Sequence, residues 1–184
     1  MQKNKGNEPP AAVEPSGGNP WIFWGVMAVV VVIDVITKVI AEYALVPMHT
    51  PHEIIGEYFR LTLVYNPGAA FGLHLGSMSR WIFMGLTVVA LIVLGRLYKA
   101  TPEGAYLRTL ALSLVCGGAI GNLIDRIRSP QGVVDFLDVG IGVHRWPTFN
   151  VADMAVSTGA AILAWVLLQE DRAAARNVVP ARDS

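Results

Sequence analysis

Along the chain, long apolar runs alternate with polar stretches, and four runs approach the roughly 20 residues that a helix needs to cross a bilayer. They fall at about 21–41, 81–98, 107–123 and 151–168. Between the first two lies Phe59-Arg60-Leu61-Thr62-Leu63-Val64-Tyr65, whose period-two alternation of aromatic and β-branched residues predicts a strand. Asn66-Pro67-Gly68 then reads as a turn. Between the last two runs, Val133–Val139 is a second extended candidate, bounded by Gly132 and Gly140. The expected architecture is an all-α membrane bundle of four transmembrane helices, with a small β-sheet or cradle built from the loops 42–79 and 125–150 at the outer membrane surface. Residues 1–20 carry Pro9, Pro10, Pro15 and Pro20 among Gly, Glu and Lys, a composition expected to stay disordered, and 169–184 is expected as a second tail.

Composition supports a membrane protein. Of 184 residues, 53% are hydrophobic and 15% charged, against about 45–50% and about 25% in globular domains. The 14 basic and 14 acidic residues cancel, so no nucleic-acid footprint is expected. Cys116 is the single cysteine, which excludes an intramolecular disulfide and a cysteine-based zinc cage. The first apolar run ends in Asp34-Val35-Ile36-Thr37-Lys38 instead of a small-residue cleavage site, so it reads as an uncleaved helix.

Lysine and arginine near span ends are retained in the cytoplasm. Lys3, Lys5, Arg96, Lys99, Arg108, Arg172, Arg176 and Arg182 fall on one side; Arg60, Arg80, Arg126, Arg128 and Arg145 fall on the other. This bias predicts both termini in the cytoplasm and the two long loops outside.

Polar residues within spans are expensive and usually face a bundle interior or water. Here they gather at the outer end: Asp34 and Lys38 close the first span, Asn122, Asp125 and Arg126 the third, and Asn150 and Asp153 open the fourth. Asp135 and Asp138 lie between the last two. Plainer readings exist for several of them. Asp34 and Lys38, spaced i, i+4, can pair on one helix face; Arg126 and Arg128 can anchor at the interface; Asp138 and Glu42 read as solvated loop charges. Asp153 resists such a reading, because it sits inside an apolar helix with no base in reach on its own helix. Gly117-Gly118-Ala119-Ile120-Gly121 supplies the small-residue spacing that lets helices approach closely.

The residue types narrow the chemistry. His49, His52, His74 and His144 lie in or near the outer loops without helical metal-ligand spacing. Ser113, Ser157 and Thr158 have no Lys or His base nearby, and Cys116 reads as a packing residue. Paired carboxylates remain. Two adjacent aspartates share a proton, so one can activate water while the other, protonated, polarises a carbonyl. Asp153 with either Asp135 or Asp125 meets that requirement; spacing leaves the choice open. No metal or cofactor is needed.

Five segments in order carry a resemblance: Asp34–Lys38, Asn66-Pro67-Gly68-Ala69-Ala70-Phe71-Gly72, Gly117–Arg126, Val133-Val134-Asp135-Phe136, and Phe149-Asn150-Val151-Ala152-Asp153. This series closely resembles the motifs of lipoprotein signal peptidase, signal peptidase II, from about Trp21 to Leu168. The resemblance implies an aspartic endopeptidase of the bacterial inner membrane, acting from the periplasmic side. Its substrates would be diacylglyceryl-modified prolipoproteins, cut before the lipidated cysteine. It also implies Asp135 and Asp153 as the catalytic pair, with Asn66, Asn122, Asp125, Arg126 and Asn150 lining the site and Asp34 and Lys38 supporting it. A monomer in contact with membrane lipid is expected, with the 59–75 region, Phe71–Leu75 in particular, as a lid. An ion pathway and a non-catalytic lipoprotein-binding factor are the rival readings. The first is disfavoured because the polar groups do not continue through the membrane.

Overall fold

The computed structural model describes residues 17–68 and 78–178. The N-terminal tail to residue 16, the expected lid segment Phe71–Leu75 and the last six residues lie outside the described residues.

Four helices among the described residues are long and apolar enough to cross a membrane: α1 (Pro20–Ala44), α2 (Ser79–Lys99), α3 (Tyr106–Arg128) and α4 (Val151–Val178). Each contains one of the expected apolar runs. α3 and α4 outlast their runs, α3 by a turn that carries Asp125 and Arg126, and α4 by the Gln169–Val178 segment expected as tail. The chain therefore forms a multi-pass membrane protein. Helix α1 starts where Asn19 accepts the Ile22 N–H on its side-chain oxygen at 3.1 Å, with Pro20 in the first helical position. Proline is tolerated there because its missing N–H has no intrahelical partner in any case.

Packing is uneven. α3 is the central helix, set against both α1 and α4, and it holds Thr109, Ala111, Leu112, Ser113, Cys116 and three glycines in its buried surface. A Cβ at Gly117 would meet Val30 Cβ at 2.9 Å. One at Gly118 would collide with the Ala152 carbonyl oxygen, and one at Gly121 with the Asp34 carboxylate. The glycine cluster thus brings α3 against α1 on one side and the start of α4 on the other, as small-residue interfaces do in membranes. α2 buries only Ser79 and stands at the periphery.

Both expected strands form, and they pair with each other. β1 (His52–Ile55), β2 (Phe59–Asn66), β3 (Val133–Ile141) and β4 (His144–Arg145) make one antiparallel sheet in that order. Val64 sits opposite Asp135 and Asn66 opposite Val133, so the sheet joins the turn after β2 to the strand that carries Asp135. Leu63, Val134 and Phe136 pack with Ala41 and Leu45 at the end of α1, seating the sheet on the bundle.

Two residues expected as solvated charges are not. Asp138 is buried, accepting from Thr62 Oγ1 at 3.1 Å and from Arg145 Nε at 2.8 Å. Glu42 lies on α1 and accepts from Tyr65 Oη at 3.0 Å and Arg128 Nη2 at 2.8 Å. Pairing explains both: a charge taken from water needs a partner, and the β2–β3 ladder and the α1–α3 contact supply them.

Candidate active site

The end of α1, the end of α3, the start of α4 and strand β3 meet at one end of the bundle, and their polar side chains form a continuous network. At its base lies Lys38, almost wholly buried, with Nζ 2.8 Å from Asp34 and 2.9 Å from Asp125. The expected i, i+4 pair thus exists, but it extends across helices. The third Lys38 donor reaches Asn122 Oδ1 at 2.9 Å. An ammonium has three donors and no acceptor, so this buried lysine is fully used.

Its two carboxylates each hold a second element. Asp34 Oδ1 accepts the Ala152 N–H at 2.8 Å, fixing α1 to the first turn of α4. Asp125 Oδ2 accepts the Val134 N–H at 3.1 Å, fixing α3 to β3 one residue before Asp135. Both aspartates are consumed in structural contacts.

Asp153 is placed by helix capping. The Asn150 side-chain oxygen accepts the Asp153 N–H at 2.9 Å, while the Asp153 carboxylate accepts the Asn150 N–H at 3.3 Å. This reciprocal arrangement satisfies two N–H groups that a helix start leaves unpaired, and it presents the carboxylate to the positive end of the helix dipole. The other Asp153 oxygen accepts from Asn122 Nδ2 at 2.8 Å. Asn122 is oriented for that role by Lys38 and by Asn150, whose Nδ2 lies 3.2 Å from the same Asn122 oxygen.

Asp135 is buried in β3. It accepts from Asn150 Nδ2 at 2.7 Å and from Asn66 Nδ2 at 3.2 Å. Asn66 in turn accepts the Gly68 N–H at 3.0 Å, the turn contact foreseen after β2. Burial pushes the Asp135 carboxyl up from its ordinary value to about 7, and the nearby Asp153 charge adds to the rise; the two asparagine donors and Lys38 act the other way. Asn150 therefore bridges the two aspartates: its side chain bonds the Asp135 carboxylate and the Asp153 backbone N–H, and its own N–H bonds the Asp153 carboxylate.

Arg126 is half-buried beside this pair, its charge within electrostatic reach of Asp153 and Asp135. Its guanidinium donates to the Asn122 carbonyl oxygen at 3.1 Å and lies 5.7 Å from the centre of the Phe83 ring. Arg128 lies at the rim, where it pairs with Glu42 at 2.8 Å and reaches the Asp125 carboxylate at 3.6 Å. A cleft of about 320 Å³ opens from Asp153 along α4, lined by Trp146, Phe149, Met154, Ser157 and Thr158. Among the described residues, no three His, Cys, Asp or Glu side chains are grouped to hold a metal ion. Sequence reasoning missed Arg80, which donates to the carbonyl oxygens of Arg126 and Ile127 and ties α2 to the end of α3. Backbone acceptors leave no trace in a residue pattern.

The geometry is matched by kinship. The family model for signal peptidase (SPase) II matches residues 26–169. The chain belongs to the signal peptidase II family. It is a protease family, and its members include a lipoprotein signal peptidase of Moorella thermoacetica, 45% identical over 132 residues that cover 70% of this chain and 83% of the relative. Another, from Paraburkholderia phymatum, is 40% identical over 165 residues, covering 88% and 96%. A solved bacterial membrane enzyme superposes with a TM-score of 0.76 at 27% identity, covering 93% of this chain and 99% of its own. The signal peptidase II match runs from within α1 to within α4 and includes every residue of the polar network.

Proposed function

We propose that this chain removes the signal peptide from diacylglyceryl-modified prolipoproteins, cutting before the lipidated cysteine, with Asp135 and Asp153 as the catalytic pair. The observation that carries the reading is the Asn150 bridge: one side chain bonds Asp135 at 2.7 Å and caps onto Asp153 at 2.9 Å. Two carboxylates near enough for the Asp153 charge to raise Asp135 share a proton more readily than they bear two charges.

The division of labour follows from their surroundings. Asp135, buried and shifted toward neutrality, holds the proton and donates it to the scissile carbonyl oxygen. Asp153, at a helix start, is the base that takes a proton from water as the water oxygen attacks the carbonyl carbon. The tetrahedral adduct collapses when Asp153 returns that proton to the departing nitrogen and the C–N bond breaks. Asp135 recovers its own proton from the adduct hydroxyl. Asn66, Asn122 and Asn150 hold the carboxylates in place, and Arg126 supports negative charge beside them. Asp34, Lys38 and Asp125 fix the helices on which the pair depends.

The site would lie at the periplasmic surface of the bacterial inner membrane, with both termini cytoplasmic and the protein working as a monomer among lipids. The relatives' name, lipoprotein signal peptidase, supports the substrate class. Paired aspartates favour a peptidase over a passive binding factor, and the network's confinement to one end disfavours an ion path.

A gel-shift cleavage assay of the purified protein on one prolipoprotein, with and without its diacylglyceryl group, tests the reading. Cleavage only of the lipidated form, lost in Asp135→Asn and Asp153→Asn without chelator sensitivity, is expected. Binding without cleavage by the wild type would overturn it.

A further inference from the structure

Several serine and threonine hydroxyls in and beside the spans share one arrangement. Thr37, Thr87, Thr101, Thr109 and Ser113 each turn back and donate to a carbonyl oxygen three or four residues earlier, at 2.7–3.0 Å. This is the usual way to satisfy a hydroxyl in hydrocarbon. Ser157 and Thr158 make no such bond. Both are exposed on the face of α4 that lines the cleft, next to Met154 and running away from Asp153. At a rise of about 1.5 Å per residue they lie roughly 6–7.5 Å further along the helix axis than Asp153.

The cleft has a mixed character. Trp146 and Met154 are exposed apolar side chains, and with Phe149 they make a wall suited to hydrocarbon. The two hydroxyls are free donors within that wall. A polar donor facing lipid without a partner is costly, so the cleft is complementary to an apolar ligand carrying isolated acceptors.

We propose that Ser157 and Thr158 form a subsite for the ester carbonyls of the substrate's diacylglyceryl group, with Trp146, Phe149 and Met154 against its acyl chains. The proposal rests on the peptidase reading above. The ester carbonyls hang from the cysteine sulfur by a short flexible chain, which reaches from the scissile bond to a point about one to one and a half helical turns along α4. The alternative acceptor is a peptide carbonyl of the signal segment. A helical signal segment satisfies its carbonyls internally, whereas an ester carbonyl has no donor of its own.

Cleavage kinetics with paired lipopeptides separate these possibilities. One substrate carries two ester-linked chains, the other the same chains through ether links, which keep the shape and remove the carbonyls. Wild type should show a lower KM for the ester substrate, by roughly 2- to 10-fold for each hydrogen bond retained. In the double variant Ser157→Ala/Thr158→Val, the ester-to-ether KM ratio should collapse toward one, with the loss carried by KM rather than kcat. Equal KM values for the two substrates in wild type would overturn the subsite. So would a double variant that raises both KM values by the same factor, the outcome expected if the hydroxyls serve a peptide carbonyl. Failure of wild type to cut either substrate would overturn the peptidase reading itself, and the subsite with it.

Discussion

The two ends of the bundle are built from the same helices and solve opposite problems. At the end away from the sheet, Phe23 stacks on Tyr98 with ring centres 3.7 Å apart, Leu112 and Cys116 fill the space behind them, and Thr109 and Ser113 bond to their own helix. Apart from the partly exposed Arg108–Glu170 pair at 3.1 Å, these contacts among the described residues need no particular partner on another helix. At the sheet end, Lys38, Asp34, Asp125, Asn122, Asn150, Asp135 and Asp153 each bond to a different element. Apolar packing tolerates exchange at modest cost; a buried polar network fails when one member is lost. Stability of the first kind is diffuse. That of the second is concentrated, and it lies where chemistry can use it.

The contrast can be broken first at the two aspartates. Asp135→Asn and Asp153→Asn keep shape and should lower turnover by about 10²- to 10⁴-fold, the range of general acid–base catalysis, in a protein that still elutes as a folded species. Lys38→Met should come next. It leaves Asp34 and Asp125 buried without their counter-charge, and losing one partner of a buried pair costs about 3–5 kcal/mol, visible as a large fall in Tm in detergent.

A pH series probes the same end without mutation. With the Asp135 carboxyl pushed up to about 7, turnover should fall as pH rises through that value, toward tenfold per unit beyond it. The sign for stability agrees: the folded form holds this proton more tightly than the unfolded chain, so its contribution is complete below 3.8 and is lost as pH rises through about 7. A turnover that stays flat to pH 9 would remove Asp135 from the acid role. At the opposite end, Cys116→Ala should cost only about 1 kcal/mol and leave turnover alone.

The helices and both central strands were legible because their signals are local: a run of apolar residues, or an alternation of period two. The meeting of Asp34, Asn122 and Asp153 was legible through topology, since α1 and α3 end where α4 begins. Partner identity was not. Spacing left Asp125 and Asp135 as equal candidates beside Asp153, and the resemblance alone chose between them. In three dimensions Asp125 is held by Lys38 and the Val134 N–H, while Asp135 faces Asn150. Asp138 and Glu42 were misread for a related reason. Their partners Thr62, Arg145, Tyr65 and Arg128 lie across a ladder or on another helix, and no one-dimensional period encodes such a crossing.

Asn150 has a consequence for how the protein is made. The same residue starts α4 and joins the two aspartates, its side chain on the Asp135 carboxylate and its backbone N–H on that of Asp153, so this arrangement does not exist until that helix has docked. Asp135 is synthesised before Asp153, and the two meet only once the start of α4 has packed against α3 and β3. With the proposed pair of Asp135 and Asp153, a protease assembled in this order gains its activity only with the completion of its fold.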